Sequence, residues 1–354
     1  MRFPLNKHAP LSPPADRGRV ANLAARLSAV VFRSSALLAL FASLLLTAAP
    51  AAARQSPEQF DARRAFEHVK RQVEFGPRPA GSEALARARR HITGELKSYG
   101  LKVSADEFTA QTPVGRRRMV NVTAELPGES ADFIILAGHY DTKLFDRFRF
   151  VGANDGGSST GVLLELARVL AAAPRRNHFT YRFVFFDGEE SFCRHWDTCS
   201  RPGAPDNTYG SRRYVARLRE TGELRRARSL VLLDMVGYRD LELGRDPTST
   251  RWLVDLVWET ARGIGHGAQF VGREENVGQD DHTPFLAAGV PAVDIIQLDT
   301  FPHWHTAEDT LDKISPESLR AVGRTVLASL PRIEARLRGA GRAPEGSEGE
   351  KVKR

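Results

Sequence analysis

The chain has 354 residues, of which 42% are hydrophobic and 27% are charged, a composition typical of a globular protein long enough to bury a core. Its formal net charge of +8 would suit a nucleic acid or an anionic membrane, but much of the excess lies at the two ends, before Arg33 and after Arg332. Because no nucleic-acid-binding signature accompanies this charge, we expect no nucleic-acid partner.

Residues 1–53 have the pattern of an export signal. An apolar run from Ser35 to Ala49 follows Arg26 and Arg33 and leads into the small residues 51–53, a typical cleavage site. The run of about 15 residues is shorter than the roughly 20 that a membrane span needs, so we expect cleavage, export, and no stable membrane insertion afterwards. Because the basic leader is long, two alternatives stay open: a start downstream of Met1 and an uncleaved anchor.

After the signal, periodicity predicts two helices and then a series of strands and helices. The first helix spans residues 56–75, and Ser82 caps a second helix that runs to about Tyr99. The remaining predicted strands are 101–108, 118–126, 133–137, 181–186, 229–233 and 292–296, and the remaining predicted helices are 160–173, 210–220, 251–264 and 316–337. The alternation predicts one α/β domain over residues 54–338, with a mixed, mostly parallel twisted sheet and helices on both faces. The tail, residues 339–354, has a disordered, basic composition.

Polar residues follow the predicted strands at the points where those strands end. His139 follows one strand, Glu189 and Glu190 follow the next, Asp234 follows a third, and His305 comes a short loop after a fourth. Because functional groups gather at the carboxyl ends of the strands in such folds, we expect these side chains to meet. Each feature alone has an ordinary explanation, such as a helix cap or a solvated loop, but their combination indicates a catalytic zinc site of His and carboxylate ligands.

The chain has only two cysteines, Cys193 and Cys199, which lie close together in one predicted loop. In an exported protein this spacing favours a local disulfide. Two free thiols, or zinc ligation with help from His195, are the alternatives.

The ordered segments resemble the zinc aminopeptidase family M28 and its relatives, the animal-type glutaminyl cyclases, over roughly residues 60–330. The segments are His139-Tyr140-Asp141, Asn154-Asp155-Gly156, Asp187-Gly188-Glu189-Glu190, Leu233-Asp234-Met235 and His305-Thr306. The resemblance implies a zinc-aminopeptidase-like fold, with zinc bound by Asp155, Glu190 and His305 and with Glu189 as general acid and base. In the two-zinc peptidases, the matches to His139 and Asp234 bind a second ion. All these positions are filled here, so the ligand set does not separate the two activities.

Features outside the ligand set favour the cyclases. Asp280, in Gln279-Asp280-Asp281-His282, resembles a carboxylate that the cyclases use beside the matches to Glu189 and Asp234. Trp196 and Trp304 resemble pocket residues of the cyclases, although the spacing from Glu190 to Trp196 is one residue longer. The resemblance thus implies catalytic Glu189, Asp234 and Asp280, a substrate pocket with Trp196, Trp304 and Val277, and one zinc ion.

The expected reaction converts the N-terminal glutamine of peptides and proteins to pyroglutamate with release of ammonia, and the expected enzyme is a monomer. The alternative activity is a two-zinc M28 aminopeptidase. A non-catalytic binding module would predict a lost zinc ligand or a lost Glu189, and none is lost. The chain departs from the cyclase pattern at Gly138, where vertebrate-type cyclases have a cysteine, and at Asp294, where they often have a histidine.

Overall fold

The structure, a computed structural model, describes residues 57–173, 177–196 and 198–340. The predicted export signal, the end of the predicted tail from residue 341 onward, and Asp197 lie outside these residues. Gly339 and Ala340, which we assigned to the disordered tail, are instead the last residues of a helix. None of the helices within the described residues is long and apolar enough to cross a membrane.

Side-chain caps determine where the first two helices begin. Asp61 caps helix α1, Ala62–Phe75, through its carboxylate, which accepts hydrogen bonds from two backbone amides of the first turn. The helix therefore begins later than the periodicity predicted, and within the described residues a 3-10 turn, Pro57–Gln59, precedes it. Ser82 caps helix α2, Glu83–Ser98, as predicted, with its Oγ accepting from the Leu85 amide at 3.1 Å.

The remaining elements follow the predicted order, with boundaries shifted by a few residues. In chain order they are β1 Lys102–Thr112, β2 Gly115–Leu126, β3 Ser130–His139, α3 Gly157–Ala171, β4 Phe179–Phe186, α4 Tyr209–Glu220, β5 Ala227–Asp234, β6 Leu243–Arg245, α5 Arg251–Gly263, β7 Phe270–Glu274, α6 Thr283–Ala287, β8 Ala292–Ile296 and α7 Pro316–Ala340. The short elements β6, β7 and α6 were missed, because runs of three to five residues carry little periodic signal.

The main sheet has six strands in the order β1-β2-β4-β3-β5-β8. Strands β1 and β2 form an antiparallel hairpin, and β2 also pairs antiparallel with β4. The pairs β3–β4, β3–β5 and β5–β8 are parallel, so the predicted mixed and mostly parallel sheet is confirmed. The carboxyl ends of β3, β4, β5 and β8 consequently lie side by side at one edge of the sheet.

Helices cover both faces of this sheet, which explains why its central strands are mostly apolar. Along β3, Ile134 and Leu136 face the larger core, which includes residues of α1, α3, α5 and α7. Phe133, Ile135 and Ala137 alternate with them and face the smaller core, which includes residues of α4 and α6. Both faces of the central strands are therefore closed to solvent. Chemistry can occur at the edge where the carboxyl ends of β3, β4, β5 and β8 lie side by side, which we call the polar edge.

Helix α3, which follows Asp155, packs directly on α1 through Gly161. A Cβ atom at Gly161 would lie 2.6 Å from the Ala65 carbonyl oxygen and 2.8 Å from Val69 Cγ2, so the two helix backbones approach more closely than a larger residue permits. Gly94, in the middle of α2, has open space around its Cβ position instead.

We predict opposite effects for the same substitution at these two glycines. Gly161→Ala should lower the free energy of unfolding by about 1–3 kcal/mol, because the α1–α3 contact must open. Gly94→Ala should raise it by about 0.5–1 kcal/mol, because alanine is the better helix former. Urea unfolding of both variants measures these changes, and a stabilised Gly161→Ala would contradict the close helix contact.

Candidate active site

Asp155 occupies the middle of the polar edge, in the loop just before α3. Gly156 follows it with a φ of 72°, in the left-handed region that glycine tolerates. A Cβ at Gly156 would lie 2.5 Å from the Asp141 carbonyl oxygen and 3.1 Å from the His139 ring, so only glycine lets this loop approach the end of β3. The Asp309 carboxylate fixes the loop from the other side, by accepting the Asn154 and Asp155 amides at 2.7 and 3.0 Å.

Asp155, Glu190 and His305 form one group of ligand-capable atoms. His305 Nε2 lies 3.5 Å from Asp155 Oδ2 and 3.2 Å from Glu190 Oε2. Both carboxylate atoms are buried and have no hydrogen-bond partner among the described residues. Because buried polar atoms are nearly always satisfied, this arrangement fits a bound cation that the three side chains would share.

His139, Asp155 and Asp234 form a second group, which shares Asp155 with the first. His139 Nε2 lies 3.2 Å from Asp155 Oδ1 and 3.1 Å from Asp234 Oδ1. Burial lowers the pKa of His139, but the charge of Asp234 and hydrogen bonds to neighbouring carboxyls raise it well above the ordinary value. The two oxygens of Asp155 therefore face two different groups, which is the arrangement of a carboxylate able to bridge two ions.

Aromatic rings surround His305 and fix its orientation. Trp304 stacks on the imidazole with ring centroids 4.2 Å apart, while Phe145 and Phe150 meet it edge-on. His305 itself has a φ of 55°, an unusual backbone conformation for this residue type that often occurs at functional sites. Burial lowers the pKa of His305 to about 4, so its imidazole is neutral at physiological pH, as a metal ligand must be.

Glu189 and Glu190 diverge after β4, as expected for adjacent residues leaving a strand. The Lys143 amide donates to Glu190 Oε1 at 2.9 Å, and the Glu189 amide donates to Asp141 Oδ1 at 3.2 Å. Burial raises the pKa of Glu189 well above its ordinary value; His139 opposes this rise, and Asp280 adds to it. A carboxyl with a raised pKa can exchange a proton near neutral pH, which is the property of a general acid and base.

Behind Asp280, a series of buried polar side chains extends away from the site. Burial and the charge of Asp234 raise the pKa of Asp280 to about 6. His282 lies between Asp294 and Asp246, with its ring nitrogens 3.5 and 3.3 Å from their carboxylates. Asp294, the departure noted in the sequence, is thus fully buried and belongs to an acid–histidine–acid series. The sequence pointed to Asp280 and Asp294 separately, but it gave no sign that His282 and Asp246 join them.

The pocket above these groups has a volume of about 400 Å³. His139 is not among its lining residues, whereas Asn276 and Asp299, which the sequence reasoning missed, line it. Nine of the predicted site residues line it: Asp155, Glu189, Glu190, Trp196, Asp234, Val277, Asp280, Trp304 and His305. The structure therefore brings the predicted ligands, carboxylates and tryptophans to one cavity.

Cys193 and Cys199 form a disulfide in the loop that carries Trp196. The predicted disulfide is confirmed, and the alternatives of two free thiols or zinc ligation by these cysteines are wrong. This disulfide closes a short segment beside the pocket.

Comparisons with known proteins identify relatives that agree with one another. Residues 121–330 match the family model of peptidase family M28. A curated glutaminyl-peptide cyclotransferase from Bos taurus is 30% identical over 68% of this chain and 75% of its own length. A glutaminyl cyclase structure from an Acidobacteriales bacterium is 36% identical, with a TM-score of 0.73 over 81% of this chain and 98% of that one. A Zn-dependent exopeptidase structure from Parabacteroides distasonis is 28% identical, with a TM-score of 0.69 over 77% of this chain and 98% of that one.

We predict that His305 and His303 differ in their importance for metal binding. Changes to groups that only support a metal ligand typically weaken metal binding by roughly 10–100-fold. His305→Ala removes a ligand itself, so it should weaken zinc binding by more than that. His303→Ala is the matched control, because its ring packs edge-on against Tyr238 and Phe301 and does not line the pocket. Zinc measured after equilibrium dialysis checks both, and full zinc retention in His305→Ala would contradict the first ligand group.

Proposed function

This chain belongs to peptidase family M28, and we propose that it is a zinc-dependent glutaminyl-peptide cyclotransferase. Its substrate would be the N-terminal glutamine of a peptide or protein, and its products pyroglutamate and ammonia. The observation that supports this most is the position of Asp280, a buried third carboxyl beside Glu189 and Asp234 in a pocket that Trp196 and Trp304 also line. The names of the bovine relative and the Acidobacteriales structure support the same activity.

In this proposal Asp155, Glu190 and His305 hold one zinc ion. Their atoms fit the ion because two buried carboxylate oxygens lack other partners and the imidazole is neutral. A zinc ion bound there would supply Lewis-acid polarisation of the glutamine γ-carbonyl oxygen. The ligands belong to three different segments of the chain, so the complete fold is needed to assemble them.

Glu189 moves the proton in the proposed reaction. The α-nitrogen of the substrate forms a bond to the γ-carbonyl carbon, and the bond from that carbon to the side-chain nitrogen breaks. Glu189 accepts the proton that the attacking nitrogen loses and delivers it to the leaving nitrogen, which departs as ammonia. Burial and the neighbouring carboxylates of Asp280 and Glu190 raise the pKa of Glu189, which keeps the affinity of its carboxylate for the proton high.

The two tryptophans and Val277 belong to the apolar part of the pocket wall, which Met235, Ile296 and Leu298 complete. Large aromatic side chains exclude water and enclose the side chain of the substrate's first residue. Exclusion of water matters here because water would compete with the α-nitrogen for the polarised carbonyl carbon. The partners implied are therefore peptides and proteins with a free N-terminal glutamine.

One observation favours the aminopeptidase alternative. His139, Asp155 and Asp234 form a second ligand-capable group, and Asp155 lies between the two groups as a bridging ligand would. A Zn-dependent exopeptidase is also among the similar structures. This alternative requires two zinc ions, whereas the proposed cyclase requires one.

We predict that the purified protein releases ammonia from a peptide that begins with glutamine and releases no leucine from a Leu-anilide. Glu189→Gln should lower cyclisation by at least about 100-fold while zinc content stays unchanged, because it removes the proton carrier and keeps the ligands. Coupled ammonia detection, anilide hydrolysis and zinc stoichiometry measure the three quantities.

The control is Glu274→Gln, which neutralises an exposed carboxyl outside the pocket and should leave activity unchanged. Leucine release without ammonia, together with two bound zinc ions, would show the aminopeptidase instead. Loss of zinc in Glu189→Gln would mean that Glu189 and Glu190 have exchanged roles.

We also propose that the protein is exported and that residues 1–53 are its signal. The disulfide supports an oxidising compartment, and residues 54–338 would then be the catalytic domain. N-terminal sequencing of the protein from the exported fraction should begin near Arg54, and a sequence that begins at Met1 would contradict cleavage.

A further inference from the structure

We propose that the Cys193–Cys199 disulfide is a positioning device that holds Trp196 against the pocket and thereby sets the affinity for the first residue of the substrate. The proposal rests on the proposed function only in naming glutamine as that residue. Trp196 lies midway between the two cysteines and lines the cavity beside Glu189 and Trp304. The disulfide therefore encloses the segment that carries one wall of the site.

The base of this loop is anchored without the disulfide. The amides of Phe192 and Cys193 both donate to Asp206 Oδ2, at 3.1 and 2.9 Å, and Asp206 is itself buried. Lys143 Nζ donates to the Ser191 carbonyl at 2.6 Å. On the returning side the Asp206 amide donates to Ser200 Oγ at 3.0 Å. These contacts fix both sides of the base up to the cysteines.

The segment between the cysteines, which we call the crown, comprises residues 194–198. Its hydrogen bonding within the described part of the chain is local, from the Thr198 amide to the His195 carbonyl at 3.2 Å. Arg194 and His195 are exposed, and Trp196 is half-buried. The disulfide is the covalent closure of this segment, and it therefore restricts where the Trp196 ring can lie.

Loss of this restriction should affect binding rather than chemistry. Glu189 and Glu190 precede the loop, and the Lys143 amide holds Glu190 through a hydrogen bond that does not involve the crown. Zinc binding and proton transfer should therefore survive when the disulfide is absent. Opening the crown would weaken only the enclosure that Trp196 provides for the substrate.

The test is a kinetic comparison of Cys193→Ser/Cys199→Ser with Trp196→Ala and with all three changes combined. We expect the double serine variant to raise KM for a glutamine-initiated peptide about tenfold, with kcat within about twofold and zinc content unchanged. Trp196→Ala should give a similar rise, and the combined variant should be no worse than Trp196→Ala alone, because both changes remove the same contact.

Trp304→Ala is the matched control, since this tryptophan lines the same pocket but stacks on His305 outside the crown. Its effect should add to that of the double serine variant. An unchanged KM in the double serine variant, or an effect that adds fully to Trp196→Ala, would overturn the proposal. Reduction of the folded wild-type protein by dithiothreitol, removed before assay under conditions that prevent reoxidation, repeats the test if the serine variant does not fold.

Limited trypsin digestion separates this proposal from the proposed function. Arg194 lies in the crown, so cleavage after it should be faster in the double serine variant than in the wild type, and faster cleavage needs no catalytic activity. Equal cleavage rates would overturn the restriction of the crown. If the wild type lacks cyclase activity but cleaves Leu-anilide, the same KM comparison is made with Leu-anilide as the substrate. A failure of the proposed function and a failure of the proposed role of the disulfide therefore give different results.

Discussion

The structure depends on the balance of charge among carboxylates that are buried together at the end of the sheet. Asp155, Glu189, Glu190, Asp234 and Asp280 are each almost fully buried, although isolated charges are strongly disfavoured away from water. Their pKa values are raised by burial and, for most of them, by one another. A cluster of this kind is stable only with compensating positive charge and hydrogen-bond donors, and much of the surrounding architecture supplies them.

Two basic residues and several backbone amides carry out this compensation. Arg78 is fully buried and donates to the carbonyls of Val151 and Gly152 at 2.7 and 3.1 Å, which fixes the loop that leads to Asp155. Lys143 is also buried and donates to Ser191 just beyond the two glutamates. The loops therefore have little freedom to rearrange, and the ligand groups are preorganised by residues that are not ligands themselves.

Sequence reasoning predicted the fold and part of the ligand set from strand ends, whereas the resemblance to the cyclases implied Asp280 and the two pocket tryptophans. A strand end can be read from local hydrophobicity, as at Ala292–Ile296, where the predicted and observed bounds agree. Asp309 and Arg78 could not be found in this way, since their partners lie far along the chain and nothing local distinguishes them from surface residues. Asn276 and Asp299 were missed for a related reason: they lie in irregular loops, and only the tertiary structure brings those loops over the pocket.

The ligand set is shared between hydrolysis and cyclisation, so the distinction depends on what occupies the second group. His139 lies 3.1 Å from Asp234 Oδ1, and Asp234 together with neighbouring carboxyls raises the pKa of this histidine above its ordinary value. A histidine ligand must be neutral, so this ring can either carry a proton beside Asp234 or hold a second ion together with Asp155 and Asp234. Asp280 adds a further buried carboxyl to the same pocket, and a carboxyl there can hold and pass protons. The two activities therefore differ at the second ligand group: an ion held there suits hydrolysis, and a proton held there suits the proposed cyclisation.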